Sequence, residues 1–321
     1  MDEFALIRNY FAAAPCAQVG EGIVLGIGDD CALLTVSSGE QLAISTDTLV
    51  SGVHFPDRCD PFLLGQRALA VAASDLAAMG ATPLAFTLAL TLPDVHADWL
   101  HAFARGLDLM AQRCSLRLVG GDTTRGPLSL TLTVFGRVSA GLALTRSGAQ
   151  VGDLLCVGGE LGDGAGALPL VLNQRAAEST IAEALLARYW SPQPQLTLGL
   201  ALRGKATAAL DISDGLLADC GHIALASAVR LVIERDALPM SAALIGFLGL
   251  EAAREAALSG GDDYVLAFTL PASNLAGLLA AGLPVHVIGR VEAGQGVRLI
   301  DSDGADVTPL ARGYQHFQEN P

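Results

Sequence analysis

Lysine is almost missing from this 321-residue chain, the only one being Lys205. It stands beside none of the glycine-rich loops, so the G-x-x-x-x-G-K-[ST] loop of P-loop NTPases is excluded, and a site built on a strand lysine, as in protein kinases, is disfavoured. The glycine-rich stretch 158–166 carries neither that pattern nor G-x-G-x-x-G and reads as a turn entering a helix. Six cysteines, at 16, 31, 59, 114, 156 and 220, form no C-x-x-C pair. That argues against a zinc site and a thioredoxin-like motif and predicts reduced, structural thiols. There is no Gly-x-Ser-x-Gly elbow, and the one close Cys and His pair, Cys220 and His222, falls in a predicted helix. Basic residues number 19 against 33 acidic ones, a formal charge of -14, with no Lys/Arg cluster; nucleic acid is excluded as a partner. No apolar run reaches the roughly 18 residues needed to span a bilayer. The acidic start, Met1-Asp-Glu-Phe, lacks a secretory pattern. A soluble, cytoplasmic protein without a membrane partner is expected.

Aspartate beside glycine or hydroxyl residues is what the chain has instead. Four runs show it: Gly26-Ile-Gly-Asp29-Asp30, Ser45-Thr46-Asp47-Thr48, Gly120-Gly121-Asp122-Thr123 and Asp211-Ile-Ser213-Asp214-Gly215. Each ends a β-like segment. The pattern points to a polyanion held through several Mg²⁺ ions, because carboxylates face phosphate only with a cation between them, and Mg²⁺ takes one or two carboxylates alongside substrate phosphates. Each run also has a plainer reading. Gly26–Asp30 also suits a tight turn. Ser45–Thr48 suits a helix cap, although no clear amphipathic helix follows. Ser213 or Asp214 suits capping the helix expected over 216–229, whose N-terminus would equally receive a phosphate. Recurrence of the pattern favours the metal reading.

Asp75 lies in Ala68-Leu-Ala-Val-Ala-Ala-Ser-Asp-Leu-Ala-Ala-Met79, a helix apolar almost all round. A charge there is costly unless paired or bound to metal, and with so few basic residues metal is the better partner; a partly exposed carboxylate near the helix end is the alternative. His54 is either a structural histidine or a donor to a substrate phosphate. Arg146, before a Ser-Gly turn, either meets phosphate or lies on the surface.

Strand-like and helix-like stretches alternate along the chain. Helices are predicted over 3–14, 61–79, 99–113, 168–174, 181–189, from 196, and over 216–229. A β-turn-β region is expected at 23–34, and strands at 42–45, 86–92, 116–119, 128–138, 154–157, 208–210, 231–233, 264–270 and 285–291. The polar, glycine-rich stretch Arg146-Ser-Gly-Ala-Gln-Val-Gly-Asp153 places a domain boundary near 145. Two domains, 1–145 and 146–321, of α/β or α+β class are expected.

Taken in order, these motifs resemble the thiamine-monophosphate kinase family. Its superfamily includes aminoimidazole ribonucleotide synthetase, selenophosphate synthetase and the hydrogenase maturation dehydratase. Thr46 to Phe55 (Thr-Asp-Thr-Leu-Val-x-Gly-Val-His-Phe) and Ser74-Asp-Leu-Ala-Ala-Met-Gly80 carry the closest likeness. The resemblance implies ATP-dependent phosphorylation of thiamine monophosphate to thiamine diphosphate by direct in-line transfer. It implies Mg²⁺ on Asp29, Ser45, Thr46, Asp47, Asp75, Asp122, Asp211 and Asp214. ATP would meet Gly121, Asp122, Arg146 and Ser213, and the thiamine compound His54, Asp262 and Tyr314. It also implies an N-terminal ATP- and Mg-binding α/β domain contributing strands to a dimeric β-barrel, and a C-terminal α/β domain completing the active site. The chain departs from the family pattern at Asp262, Val265 and Ser51, where glutamate is usual. Two other readings compete. A related synthetase or dehydratase would want a reactive cysteine near a glycine-rich N-terminus or a C-terminal cysteine; Cys16 lacks the first setting and Glu-Asn-Pro321 the second. A non-catalytic ATP/Mg sensor would be marked by lost motif aspartates, and the principal ones are present.

Overall fold

The computed structural model describes residues 3–28, 31–309 and 313. It divides into two compact units, Met1–Leu76 with Ala81–Gly141, and Ala77–Gly80 with Leu142–Pro321.

In the first unit α1 (Glu3–Leu6) continues as a π-helical turn, Ile7–Ala12, so the expected N-terminal helix is present in two geometries. A small antiparallel pair, β1 (Ile23–Leu25) and β2 (Leu33–Leu34), follows. Next come β3 (Glu40–Val50), α2 (Pro61–Ala78), β4 (Thr82–Leu92), α3 (Ala97–Cys114), β5 (Arg117–Arg125) and β6 (Ser129–Ser139). The four long strands form one sheet in the order β3-β6-β4-β5. Strands β4 and β5 run parallel, which is why a helix of α3's length must join them. Helix α3 buries Leu100, Phe103, Leu107, Met110, Ala111 and Cys114, the three-and-four spacing of one helical face. Strand β6 alternates strictly, with Leu130, Leu132, Val134 and Val138 inward.

Two strands exceed what the sequence suggests. β3 does not stop at Ser45 but runs to Val50, pairing Ser45, Thr46, Asp47 and Thr48 with Val134, Thr133, Leu132 and Thr131 of β6. β5 continues through Gly120, Gly121 and Asp122, paired with Thr87, Leu88 and Ala89 of β4. Polar residues, glycine and aspartate are poor strand formers alone, but a long antiparallel or parallel partner overrides that preference.

The second unit contains β7 (Leu154–Val157), α4 (Asp163–Gly166), α5 (Leu168–Val171), α6 (Ser179–Trp190), α7 (Leu196–Leu202), β8 (Ala208–Asp211), α8 (Leu216–Ser227), β9 (Arg230–Glu234), α9 (Ala242–Leu248), α10 (Leu250–Ser259), β10 (Leu266–Leu270), α11 (Ala272–Ala280), β11 (His286–Glu292) and β12 (Gly296–Ile300). Six strands pair in the order β12-β9-β11-β7-β10-β8, antiparallel except for β12 beside β9. Both faces are covered, which explains the short, continuously apolar strands. Leu155, Val157, Leu210 and Ala267 join a core with Leu216, Leu217, Cys220 and Ile223 of α8. Their alternate neighbours Cys156, Ala209, Leu266 and Phe268 pack with Leu198 and Leu202 of α7 and Leu278 of α11. Mixed sheets and helices in two units match the expected class.

Candidate functional site

Strand alternation decides what Ser45–Thr48 present. Ser45 and Asp47 lie on one face of β3 and Thr46 and Thr48 on the other, because successive side chains point to opposite sides. The threonine hydroxyls are engaged across the ladder, Thr46 with Thr133 and Thr48 with Thr131, each at 2.9 Å between Oγ1 atoms. The four residues are therefore not a single donor loop, as the sequence suggested. On the opposite face the Ser45 hydroxyl donates to Asp75 Oδ2. Asp75 is half-buried on α2, while Ala72, Ala73, Ser74 and Leu76 around it are at most 1% exposed. Asp47 is also half-buried. A helix carboxylate, a strand hydroxyl and a strand carboxylate thus supply hard oxygen donors on one side of the sheet. His54 is half-buried and accepts the Val50 N–H on Nδ1 at 3.0 Å. The proton of the neutral ring then lies on Nε2.

Gly121 permits β5 to close on β4. Its φ is +150°, and a Cβ there would lie 1.9 Å from Leu88 O. The exposed Asp122 follows directly. Gly28, Gly121 and Asp122 line a cavity of about 740 Å³ whose other walls include Ile7, Phe11 and Phe135. Apolar walls with a few polar groups at one side suit an aromatic ring carrying a charged tail. Asp29 and Tyr314 lie outside the described residues.

In the second unit three loops meet beyond one end of the sheet. Asp211 is the last residue of β8. Tyr264 N–H donates to Ile212 O at 2.8 Å and Asp262 N–H to Ser213 O at 2.9 Å, lacing 211–215 to 260–264. Gly162 N–H donates to both Asp263 carboxylate oxygens, at 2.8 and 3.0 Å, which ties in 158–166. That glycine-rich stretch is thus more than a turn: it forms part of the loop cluster. Tyr264 O–H donates to Asp262 Oδ1 at 2.8 Å, with both residues at positive φ, 51° and 62°. Tyr264 therefore precedes β10 rather than opening it. Ser213 is exposed and Asp214 half-buried. Arg146 is exposed, and its carbonyl accepts from Ser227 Oγ at 3.2 Å.

Neither Ser213 nor Asp214 caps α8. The N-cap is Gly215, which has no side chain to do so. Asp219, buried in the first turn, reaches back instead: its Oδ2 accepts N–H bonds from Ser213, Asp214 and Gly215 at 3.0, 3.0 and 3.1 Å. Burial pushes its carboxyl up to about 7, while the three backbone donors pull the other way. Sequence reasoning missed Asp219, although it directly follows the apolar Leu216-Leu217-Ala218 that opens the predicted helix. Asp163 and Asp263 were missed as well. Burial raises both carboxyls; Ser241 O–H donates to Asp163 Oδ1 at 2.6 Å, and Arg188 Nε lies 3.4 Å from its Oδ2. With Glu160, Arg188 and Asp262 they line a cavity of about 290 Å³, which thus holds four carboxyl groups and one guanidinium.

Among the described residues no three His, Cys, Asp or Glu side chains cluster tightly enough to hold a metal by themselves. The oxygen donors nevertheless fit Mg²⁺, which keeps waters and completes its shell with phosphate oxygens rather than demanding an all-protein cage.

These loops and sheets define the class. Residues 28–138 match the model for the AIR synthase related protein, N-terminal domain, and residues 150–302 that for its C-terminal domain. The chain is 46% identical over 321 residues to the thiamine-monophosphate kinase of Salmonella typhimurium, covering 98% of each. It is 47% identical to a crystal structure of thiamine-monophosphate kinase from Stenotrophomonas maltophilia K279a, with a TM-score of 0.85 over 95% of this chain and 97% of that one. AaThiL complexed with AMPPCP and TMP is 31% identical, with a TM-score of 0.79 over 88% and 89%. The chain belongs to the thiamine-monophosphate kinase family.

Proposed function

We propose that this protein transfers the γ-phosphoryl group of ATP to the phosphate of thiamine monophosphate, giving thiamine diphosphate and ADP. The observation that carries the reading is full-length identity of 46% to a thiamine-monophosphate kinase, joined to a related structure holding an ATP analogue and TMP together. A synthetase, dehydratase or sensor has no comparable support.

The acceptor needs no strong base, since a phosphate monoester has a second pKa of about 6 and is largely dianionic near neutrality. What opposes reaction is repulsion between two polyanions, so positioning and charge neutralisation carry the catalysis. Mg²⁺ would supply that neutralisation, screening the phosphates and aligning attacking and leaving oxygens. In the first unit Ser45, Thr46, Asp47, Asp75, Asp122 and, outside the described residues, Asp29 would ligate it. Since the Thr46 hydroxyl faces Thr133, Thr46 would contribute through its main chain. In the second unit Asp211 and Asp214 would do so. Gly121, Asp122, Arg146 and Ser213 would contact the nucleotide. His54 would donate from Nε2 to the substrate phosphate. Asp262 would attract the cationic thiazolium ring of the thiamine compound, and Tyr314 would stack on it.

The four-stranded sheet would join a second copy in a dimeric β-barrel. Supporting this, β3 is an eleven-residue edge strand with Ile44 59% exposed, an edge that native proteins rarely leave unpaired. No helix among the described residues is long and apolar enough to cross a membrane, and we place the protein in the cytoplasm.

The test is ADP formation from Mg-ATP with and without thiamine monophosphate, with thiamine diphosphate identified by chromatography. Equal, Mg²⁺-dependent amounts of both products are expected. ATP binding without transfer would overturn the assignment.

A further inference from the structure

We infer that Asp219 is a positioning residue for the magnesium-nucleotide loop, an inference that rests on the proposed ATP-dependent reaction. Residues 211–215 carry three of the proposed ligands, Asp211, Ser213 and Asp214, yet the loop has little regular structure of its own. It leaves β8 at Asp211 and enters α8 at Leu216, with Gly215 at a φ of 116° between them. Three successive N–H groups, those of Ser213, Asp214 and Gly215, point inward and converge on a single oxygen, Asp219 Oδ2. Such a fan of donors fixes the plane of each peptide. It therefore fixes where the Ser213 and Asp214 side chains leave the chain, although Asp219 itself is only 4% exposed.

The opposite edge of the loop is held through backbone hydrogen bonds. Ser213 O and Ile212 O accept from Asp262 and Tyr264. A Cβ on Gly261 would lie 2.4 Å from Ser213 O, so the two loops touch closely. With the Ile212 and Ser213 carbonyls tied to one neighbour and three N–H groups to Asp219, the loop is held along both edges. The carboxylate is suited to the task for a second reason: it sits in the first turn of α8, where the helix N-terminus favours negative charge. In the ionised form the three bonds to one carboxylate oxygen are charge-assisted and correspondingly strong.

Replacing the carboxylate should loosen the N–H edge of this loop first; Asp262, bonded to the Ser213 carbonyl on the other edge, should be disturbed less. The Asp219→Asn protein offers a weaker, neutral acceptor of the same shape. Its melting temperature, its affinity for Mg-AMPPCP by calorimetry and the exchange protection of the peptide spanning residues 211–217 should be measured beside kinetics. Expected are a loss of affinity for Mg-AMPPCP of about 10-fold or more, matched by a rise in KM for Mg-ATP. Amide exchange at 213–215 should be faster, and KM for thiamine monophosphate should change less than about 2-fold. Unchanged nucleotide affinity, or equal losses toward both substrates with globally increased exchange, would overturn the inference.

Should the asparagine protein fail to fold, Asp219→Glu keeps the charge and moves the oxygen by one methylene. The same selective loss is expected, and normal nucleotide affinity would refute the positioning role. Binding of Mg-AMPPCP does not depend on which acceptor is used. An error in the assigned acceptor would leave the binding result standing and show itself in the parent enzyme's products.

Discussion

Adjacent glycines at 120 and 121 should respond oppositely to the same added methyl group. In β5, a Cβ on Gly121 would lie 1.9 Å from Leu88 O, 2.6 Å from Leu88 C and 2.9 Å from Leu88 N, and φ is already +150°. Ordinary van der Waals contact begins near 3.4 Å. The strands must part, breaking about two ladder hydrogen bonds at ~1 kcal/mol each. Residual backbone strain adds ~1–3 kcal/mol. Gly121→Ala should therefore destabilise the first unit by ~3–5 kcal/mol, a fall in Tm of roughly 6–20 °C for a unit of this size. At Gly120 a Cβ would meet only Thr87 Cγ2, at 3.8 Å, so Gly120→Ala should melt within ~2 °C of the parent. Differential scanning calorimetry, which resolves two unfolding units where they separate, is the assay, with Mg-AMPPCP titration reporting on the cavity wall. A Gly121→Ala protein as stable as the parent, or equal damage at both positions, would refute the close approach of β5 to β4.

Asp75→Asn should fold normally, because Ser45 can still donate to the amide oxygen, yet lose turnover by about 100-fold or more if Asp75 carries Mg²⁺; near-normal kcat would remove Asp75 from the metal site. Asp262→Glu should alter KM for thiamine monophosphate more than KM for ATP, since Asp262 lines the carboxyl-rich cavity of the second unit; an effect on ATP alone would contradict that assignment. Burial raises the Asp163 carboxyl above its ordinary value, so the stability it contributes is complete below the unfolded pKa of about 3.9 and lost as pH rises through the folded pKa. Without nucleotide or Mg²⁺, Tm should fall as pH rises from about 4, and Asp163→Asn should flatten that slope; an identical slope in the variant would show that burial of Asp163 is not its source.

Periodicity made much of this fold legible. The apolar run of α2, the repeat of α3 and the alternation of β6 survive almost unaltered from sequence to structure, because α2 is buried almost all round, α3 and β6 each bury one face, and composition follows burial. Failures cluster where a partner strand overrides local preference. Ser45–Thr48 and Gly120–Asp122 look like loops by residue type, and only pairing with β6 and β4 keeps them extended. Helices α9, α10 and α11 and strand β12 also escaped notice, α9 and α10 being separated only by Gly249. Within the candidate site, the exposed or half-buried aspartates were legible as residues with something to bind. Asp263 was not, because it serves the Gly162 N–H of a distant segment, and such a contact leaves no spacing in the sequence to read; Asp219, four to six residues from the N–H groups it holds, was overlooked.

Direct transfer between two phosphates is the centre of this account, and tracing the γ-phosphoryl group tests it most directly. With γ-³²P-labelled ATP, Mg²⁺ and thiamine monophosphate, the label should appear only in thiamine diphosphate, in step with ADP. Label released as inorganic phosphate, or retained on the protein as a stable phosphoenzyme, would contradict it.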